Sequence, residues 1–188
     1  QPQTPSAPHA HETPPGNAPA VEVLSWLHPL KGQNLRNTRG GSYTHIHTAI
    51  DAYSRLAHSE FAGTENTVNC VAFLDRAVTW FTECGITIER ILTDNGNGYR
   101  SHAWKHRCGE LGITHTRTKP YHPATNGKVE RFNRTLVDEW AYTRLWTSDS
   151  QRARTLDPWL HRYNHHRYHT ATDGPPASRV NNLAVYNT

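Results

Sequence analysis

No stretch of this 188-residue chain approaches the roughly 20 consecutive apolar residues that a membrane-crossing helix needs. The N-terminus has no positive segment followed by an apolar one, so no secretory leader is expected either. Cysteine is scarce. Cys70, Cys84 and Cys108 are dispersed and lack C-x-x-C spacing, which argues against a disulfide framework or a zinc site and for three buried thiols in a reducing compartment. No internal repeat is visible. Aspartate is absent from residues 1–50, whose only acidic side chains are Glu12 and Glu22. The remaining composition suits a single domain with a real core, since six Trp and eight Tyr offset a modest apolar fraction. A net charge of +4 with neutral histidines is consistent with a polyanionic partner, and 14 histidines add charge below neutrality.

Residues 1–20 are rich in Pro, Ala, Thr and His and read as a disordered tail. Val21–Leu24 reads as a short strand that Trp26, Leu27 and Leu30 could continue, followed by a polar, Gly-rich segment. From Ser42 the pattern is coherent. Tyr43–Ile50 alternates as a strand, Asp51–Ser54 is a tight turn, and Arg55–Phe61 returns as the second arm of a hairpin. A helix opens at Thr64–Asn69, buries Val71, Leu74, Val78 and Phe81, and stops at Gly85. Ile86–Leu92 is a strand. Ser101 caps a helix from about His102 to Leu111 that Gly112 closes, and Ile113–Thr118 is a further strand. Lys119–Thr125 is a loop. Val129, Phe132, Leu136 and Trp140 recur at helical steps, predicting a helix to about Leu145. Ser148 caps another helix, in which Asp157-Pro158 is either a kink or a new start with Asp157 as cap. Residues 164–188 read as an irregular basic tail. A hairpin followed by alternating helices and strands gives an α/β mixed sheet flanked by helices.

The chemistry concentrates between Asp94 and Glu130. Asp94 opens T-D-N-G-N-G-Y directly after an apolar run, and Glu130 sits in the first turns of a helix, in P-Y-H-P-A-T-N-G-K-V-E-R-F-N-R-T-L. Thirty-five residues separate the two carboxylates, and Lys128, Arg131 and Arg134 surround the second. Paired carboxylates beside cations suit a metal site that handles phosphodiesters. Taken singly, each residue has a plainer role: Asp94-Asn95-Gly96 forms a turn, and Glu130 pairs with Arg134 at i+4. Lys119, His122, Asn126, Lys128, Arg131 and Arg134 form a candidate DNA-phosphate surface. His161, His165, His166 and His169 are read as a polar helix end rather than a metal site.

In order and spacing, D-N-G followed by N-G-K-V-E-R-F-N-R-T-L resembles the integrase catalytic core of insertion-sequence transposases, relatives of retroviral integrases. Tyr163-Asn164-His165-His166-Arg167 and Ile50-Asp51-Ala52-Tyr53-Ser54-Arg55 extend the likeness over roughly residues 41–180. The resemblance implies a ribonuclease H-like fold, with Asp94, Glu130 and an upstream Asp holding two Mg²⁺ or Mn²⁺ ions. It implies metal-dependent DNA cleavage and strand transfer in transposition, in which a freed 3′ hydroxyl attacks target DNA. It also implies DNA partners, self-association into a homo-oligomer, no membrane, and a cytoplasmic, nucleoid-associated location. Asp51 is not carried over as a ligand, because the resembling enzymes place their first Asp on the preceding strand.

That upstream Asp is the departure. Glu22, in Val21-Glu22-Val23, is the one candidate for a third carboxylate, one methylene longer than Asp. Residues 1–40 are therefore expected to be a disordered or non-native segment, out of frame or fused, with the first strand missing or replaced. Residues 41–180 are the expected core and 181–188 a tail. Two readings stay open: a truncated integrase-type transferase core, or an inactive remnant that only binds nucleic acid. The N-G-K-V-E-R-F-N-R signature argues against a simple ribonuclease H-like nuclease.

Overall fold

The computed structural model describes residues 20–29, 43–62, 64–118, 127–141, 143 and 148–180. A five-stranded sheet runs in the order β3-β2-β1-β4-β5. Its strands are β1 (Ala20–Pro29), β2 (Tyr43–Asp51), β3 (Ala57–Ala62), β4 (Arg90–Thr93) and β5 (Thr114–Arg117). β1, β2 and β3 pair antiparallel, while β4 and β5 run parallel to β1. The helices are α1 (Thr67–Glu83), α2 (His102–Glu110), α3 (Gly127–Leu136), α4 (Asp149–Ala153) and α5 (Leu156–His165).

The first strand, expected to be missing or replaced, is the middle strand of the sheet. β1 pairs with β2 along its whole length and with β4 through Ala20–Val23. Val21 and Val23 are buried on one face, and Glu22 turns to the other. A charge between two valines reads as a surface alternation. It becomes a central-strand alternation only when the charge finds a partner across the sheet. The expected domain boundary near residue 41 therefore does not coincide with an edge of the sheet. Residues 1–19, 30–42 and 181–188 lie outside the described residues.

Strand alternation feeds two cores. Val21, Val23, Ala49 and Leu56 pack with Phe73, Leu74 and Phe81 of α1 and Trp104 of α2. Ile46, Ile50 and Ala57 pack on the opposite face with Val129, Phe132 and Leu136 of α3 and with Leu160 and Tyr163 of α5. Local chemistry sets the helix ends. The side chains of Asn66, Ser101 and Ser148 accept the N–H of Asn69, Trp104 and Gln151. Gly85 and Gly112 have φ of 79° and 70°, so the chain turns back and the N–H of Ile86 and Ile113 reach Phe81 O and Cys108 O, both at 2.8 Å.

Three expectations change. The Glu130 helix does not run to Leu145; it ends at Leu136 and passes into a π-helical turn, Val137–Ala141, which still buries Trp140. Asp157 is not a cap: Thr155 precedes α5, and Asp157 and Pro158 lie within its first turn, where proline's missing N–H costs nothing. The segment after Asn164 is not all irregular. A 3₁₀ turn, Pro176–Arg179, places Ala177 against the α1 side of the sheet.

Asn164 has a specific place in this architecture. β3 is an edge strand, and the Asn164 amide bonds both backbone groups of Ala57, accepting its N–H at 2.9 Å and donating to its carbonyl at 2.8 Å. One side chain thus stands in for a neighbouring strand. Asn164→Ala leaves a buried donor and acceptor unpaired and is expected to cost about 2–4 kcal/mol in urea unfolding. A change under about 0.5 kcal/mol would show that water replaces both bonds.

Candidate active site

Asp94 is the first residue beyond β4, where the strand ends beside the middle of β1. Its Oδ1 accepts the Gly96 N–H at 2.8 Å, and the Asn95 amide donates to Thr118 O at 3.0 Å, tying the turn to the chain beyond β5. The two glycines of D-N-G-N-G are needed for close approach. A Cβ on Gly98 would lie 2.3 Å from Cys70 Sγ. A Cβ on Gly96 would lie 2.6 Å from Glu65 Oε1 and 3.0 Å from Asp94 Oδ1, so the missing methyl leaves a small cradle flanked by two carboxylate oxygens.

Glu65 is the functional candidate that sequence reasoning missed. It lies in a polar stretch ahead of α1 with no motif to mark it, and only the fold brings it to Asp94. Burial pushes its carboxyl up, and the Asp94 charge adds to the shift. Burial also pushes Asp94 up, against the pull of the Gly96 N–H. The same pole acts on its neighbours. Cys70 is pushed up to about 12 by burial and then by Glu65 and Asp94. The Tyr99 hydroxyl rises for the same reasons, Cys70 being a further contributor. All three cysteines are buried free thiols, as their spacing suggests.

Glu22 occupies a different position. It is 2% exposed and faces α3. Its Oε2 accepts the N–H of Lys128 at 2.9 Å and of Val129 at 3.0 Å, and its Oε1 accepts Lys128 Nζ at 3.0 Å. Glu130, the next residue along α3, is exposed, and its side chain makes no hydrogen bond or ion pair with a described residue; the plainer role, a pairing with Arg134, does not form. Arg131 and Arg134 are exposed on the same helix, whereas the Lys128 ammonium is drawn to Glu22. Lys119, His122 and Asn126 lie outside the described residues. Asp51 is spent within its turn, where Oδ2 accepts the Ser54 N–H at 2.6 Å and hydroxyl at 2.7 Å. At the end of α5, His161 Nε2 and His166 Nε2 stand 3.2 Å apart and the rings of His161 and His165 stack.

Hard divalent cations take oxygen ligands and leave several positions to water and phosphate. Asp94, with one oxygen outside any described contact, and Glu130, with both, fit such an ion. Glu22 is less available, because two helix N–H groups engage its Oε2 and an ammonium its Oε1. Among the described residues no three His, Cys, Asp or Glu side chains gather closely enough to hold a metal, so Glu22, Asp94 and Glu130 do not form a closed triad. No described helix is long and apolar enough to cross a membrane.

Antiparallel strands at one side of a mixed sheet, parallel strands at the other, and helices on both faces define the ribonuclease H-like fold of integrase catalytic cores. The catalytic core domain of BIV integrase superposes with a TM-score of 0.62 at 20% identity, over 88% of this chain and 96% of that one. A chain of the simian T-cell lymphotropic virus intasome, solved with PP2A regulatory subunit B56 gamma, gives 0.62 at 22% identity, over 84% and 52%. Two family models, both described as integrase core domain, match residues 33–123 and 111–176, together most of the chain. The chain belongs to the integrase core domain family, with a retroviral-integrase-like catalytic core. Among curated proteins, the Gag-Pro-Pol polyprotein of sheep pulmonary adenomatosis virus is 32% identical over 91 residues, 48% of this chain and only 5% of that polyprotein.

A buried histidine links this region to pH. His47, on β2, is fully buried, stacks on Phe73 and approaches the Tyr99 hydroxyl at 3.4 Å. Burial lowers its pKa from 6.5 to about 4. The unfolded chain therefore binds a proton that the folded chain refuses, and stability present above pH 6.5 is lost as pH falls towards 4. The expected loss over that window is roughly 3 kcal/mol. His47→Gln should flatten the pH dependence of unfolding by that amount; equal slopes in both proteins would assign it to another group.

Proposed function

We propose that the chain is the core of an integrase-type polynucleotidyl transferase of a mobile element, acting in metal-dependent DNA cleavage and strand transfer. The observation that supports this reading is that Asp94 follows β4, that Glu130 lies on a helix fastened to the neighbouring strand β1, and that both carboxylates keep an oxygen outside any described contact. Asp94 and Glu130 would hold Mg²⁺ or Mn²⁺. When bound, a divalent ion lowers the pKa of water and neutralises charge on the phosphate under attack. The family membership supports DNA as substrate, and the N-G-K-V-E-R-F-N-R-T-L segment supports the insertion-sequence transposase branch. A multimer would bring the element ends and the target together.

The protein's own groups supply placement. The Gly96 N–H fixes one oxygen of Asp94 and leaves the other outside any described contact. Docking of α3 on β1 by its first turn fixes the segment that carries Glu130. Arg131 and Arg134 lie one and four residues further along the same helix, where a DNA backbone engaged at Glu130 would pass. The second reading, a remnant that binds DNA without cutting it, is favoured by one observation: the carboxylate on β1 is occupied by the protein itself.

Asp94→Asn and Glu130→Gln are each expected to reduce Mn²⁺-dependent nicking and joining of plasmid DNA by at least about 100-fold without loss of fold. Wild-type protein that binds DNA but shows no metal-dependent cutting would establish the remnant reading. Replacing Arg131 and Arg134 together with Ala should weaken binding to a DNA duplex and lower the dependence of log K on log salt by about 2. An unchanged salt slope would place the DNA on another face.

A further inference from the structure

We propose that Glu22 is a positioning residue, which docks the first turn of α3 on β1 and so places Glu130, and is not itself a ligand of the catalytic ion.

The first N–H groups of a helix have no partner within the helix and carry its positive pole. In α3 two of these donors, Lys128 N and Val129 N, converge on one oxygen of a carboxylate more than 100 residues away in sequence. The carboxylate is buried in the central strand, with Val129 fully buried beside it. Lys128 Nζ takes the other oxygen and balances the charge. Glu22 is thus both the cap of α3 and its fastening to the sheet. The fastening point immediately precedes Glu130, so it governs where that carboxylate stands. Moving Glu22 to a metal ion would orphan two helix N–H groups and separate an ion pair at the edge of the core. The side chain's length fits the role. Asp at this position would fall one methylene short of the helix, whereas Glu spans the gap.

The test compares full-length wild-type, Glu22→Gln and Glu22→Asp proteins by amide hydrogen exchange and by Mn²⁺ titration followed by electron paramagnetic resonance. Gln keeps an oxygen that can accept both N–H groups; Asp keeps the charge and loses the reach. The expected result is slow exchange at the Lys128 and Val129 amides in wild type, nearly unchanged in Glu22→Gln and faster by about tenfold or more in Glu22→Asp, with α1 and α2 unaffected. Saturating Mg²⁺ should leave these two amides slow in wild type, and Mn²⁺ affinity should fall more in Glu22→Asp than in Glu22→Gln. The proposal is overturned if Mg²⁺ itself speeds their exchange about tenfold. It is equally overturned if Glu22→Gln loses Mn²⁺ affinity that Glu22→Asp keeps, because charge rather than reach would then decide. Should Glu22→Asp fail to fold, the wild-type exchange with and without Mg²⁺ and the Glu22→Gln titration still decide. The metal arm rests on the function proposed above; the exchange arm does not. Wild-type protein that binds no Mn²⁺ would sink that function, while unchanged exchange in both variants would sink the docking role.

Discussion

A carboxylate buried in the middle strand of a sheet is a liability unless every oxygen is partnered. Hydrogen bonds to charged groups contribute about 1.5–3 kcal/mol each, and removing one member of a buried charged set commonly costs about 3–5 kcal/mol. Glu22 meets that demand with two helix N–H groups and one ammonium, all from the first turn of α3. The rest of the site depends on this contact. It joins the strand at the centre of the fold to the helix that carries Glu130. It also keeps α3 over Ile46 and Ile50, where Val129, Phe132 and Leu136 complete the second core.

Ion pairs occur on both faces of the sheet: Glu22 with Lys128 and Arg167 with Glu139 on one, Arg107 with Asp75 and Arg76 with Glu60 on the other. The end of β4 gathers two carboxylates instead. Asp94 and Glu65 flank the cradle at Gly96, and each carboxyl is held above its usual range. Perturbed carboxyls in a cleft recur at functional sites because structural pairing normally removes such strain. The fold thus holds Glu22 with three donors of its own, whereas Asp94 takes one N–H and Glu65 has only His45 at 4.0 Å.

Most of the architecture was legible from residue patterns. The hairpin, the capped α1 and α2, the buried cysteines and the buried stripe of α3 follow from period and punctuation, which act over a few residues. The failures share one cause. β1 was discounted because residues 1–50 hold no Asp, and the Glu22 it carries is explained only by Lys128 and Val129, over 100 residues on. Glu65 left no trace for the same reason: its neighbour Asp94 is brought to it by the order of strands. The Tyr163-Asn164-His165-His166-Arg167 segment could be recognised, yet its purpose could not. Asn164 completes the hydrogen bonding of an edge strand whose place in the sheet no local pattern reveals.

The separation of roles between Glu22 and Asp94 bears on how this site would accept a cation. An acid whose oxygens serve the fold competes with its own hydrogen bonds when it binds an ion, so its affinity is reduced by the cost of weakening them. An acid already raised by burial and a like charge gains from the same ion, because the cation removes the repulsion it bears. Glu65 is in the second condition, Asp94 shares its burial, and Glu22 is in the first. A divalent ion arriving at this surface would therefore be drawn to the end of β4, and the exposed Glu130 could complete its shell without disturbing the core. Sheet and helix stay joined through Glu22, and the chemistry proposed for Asp94 and Glu130 would lie to one side of that joint.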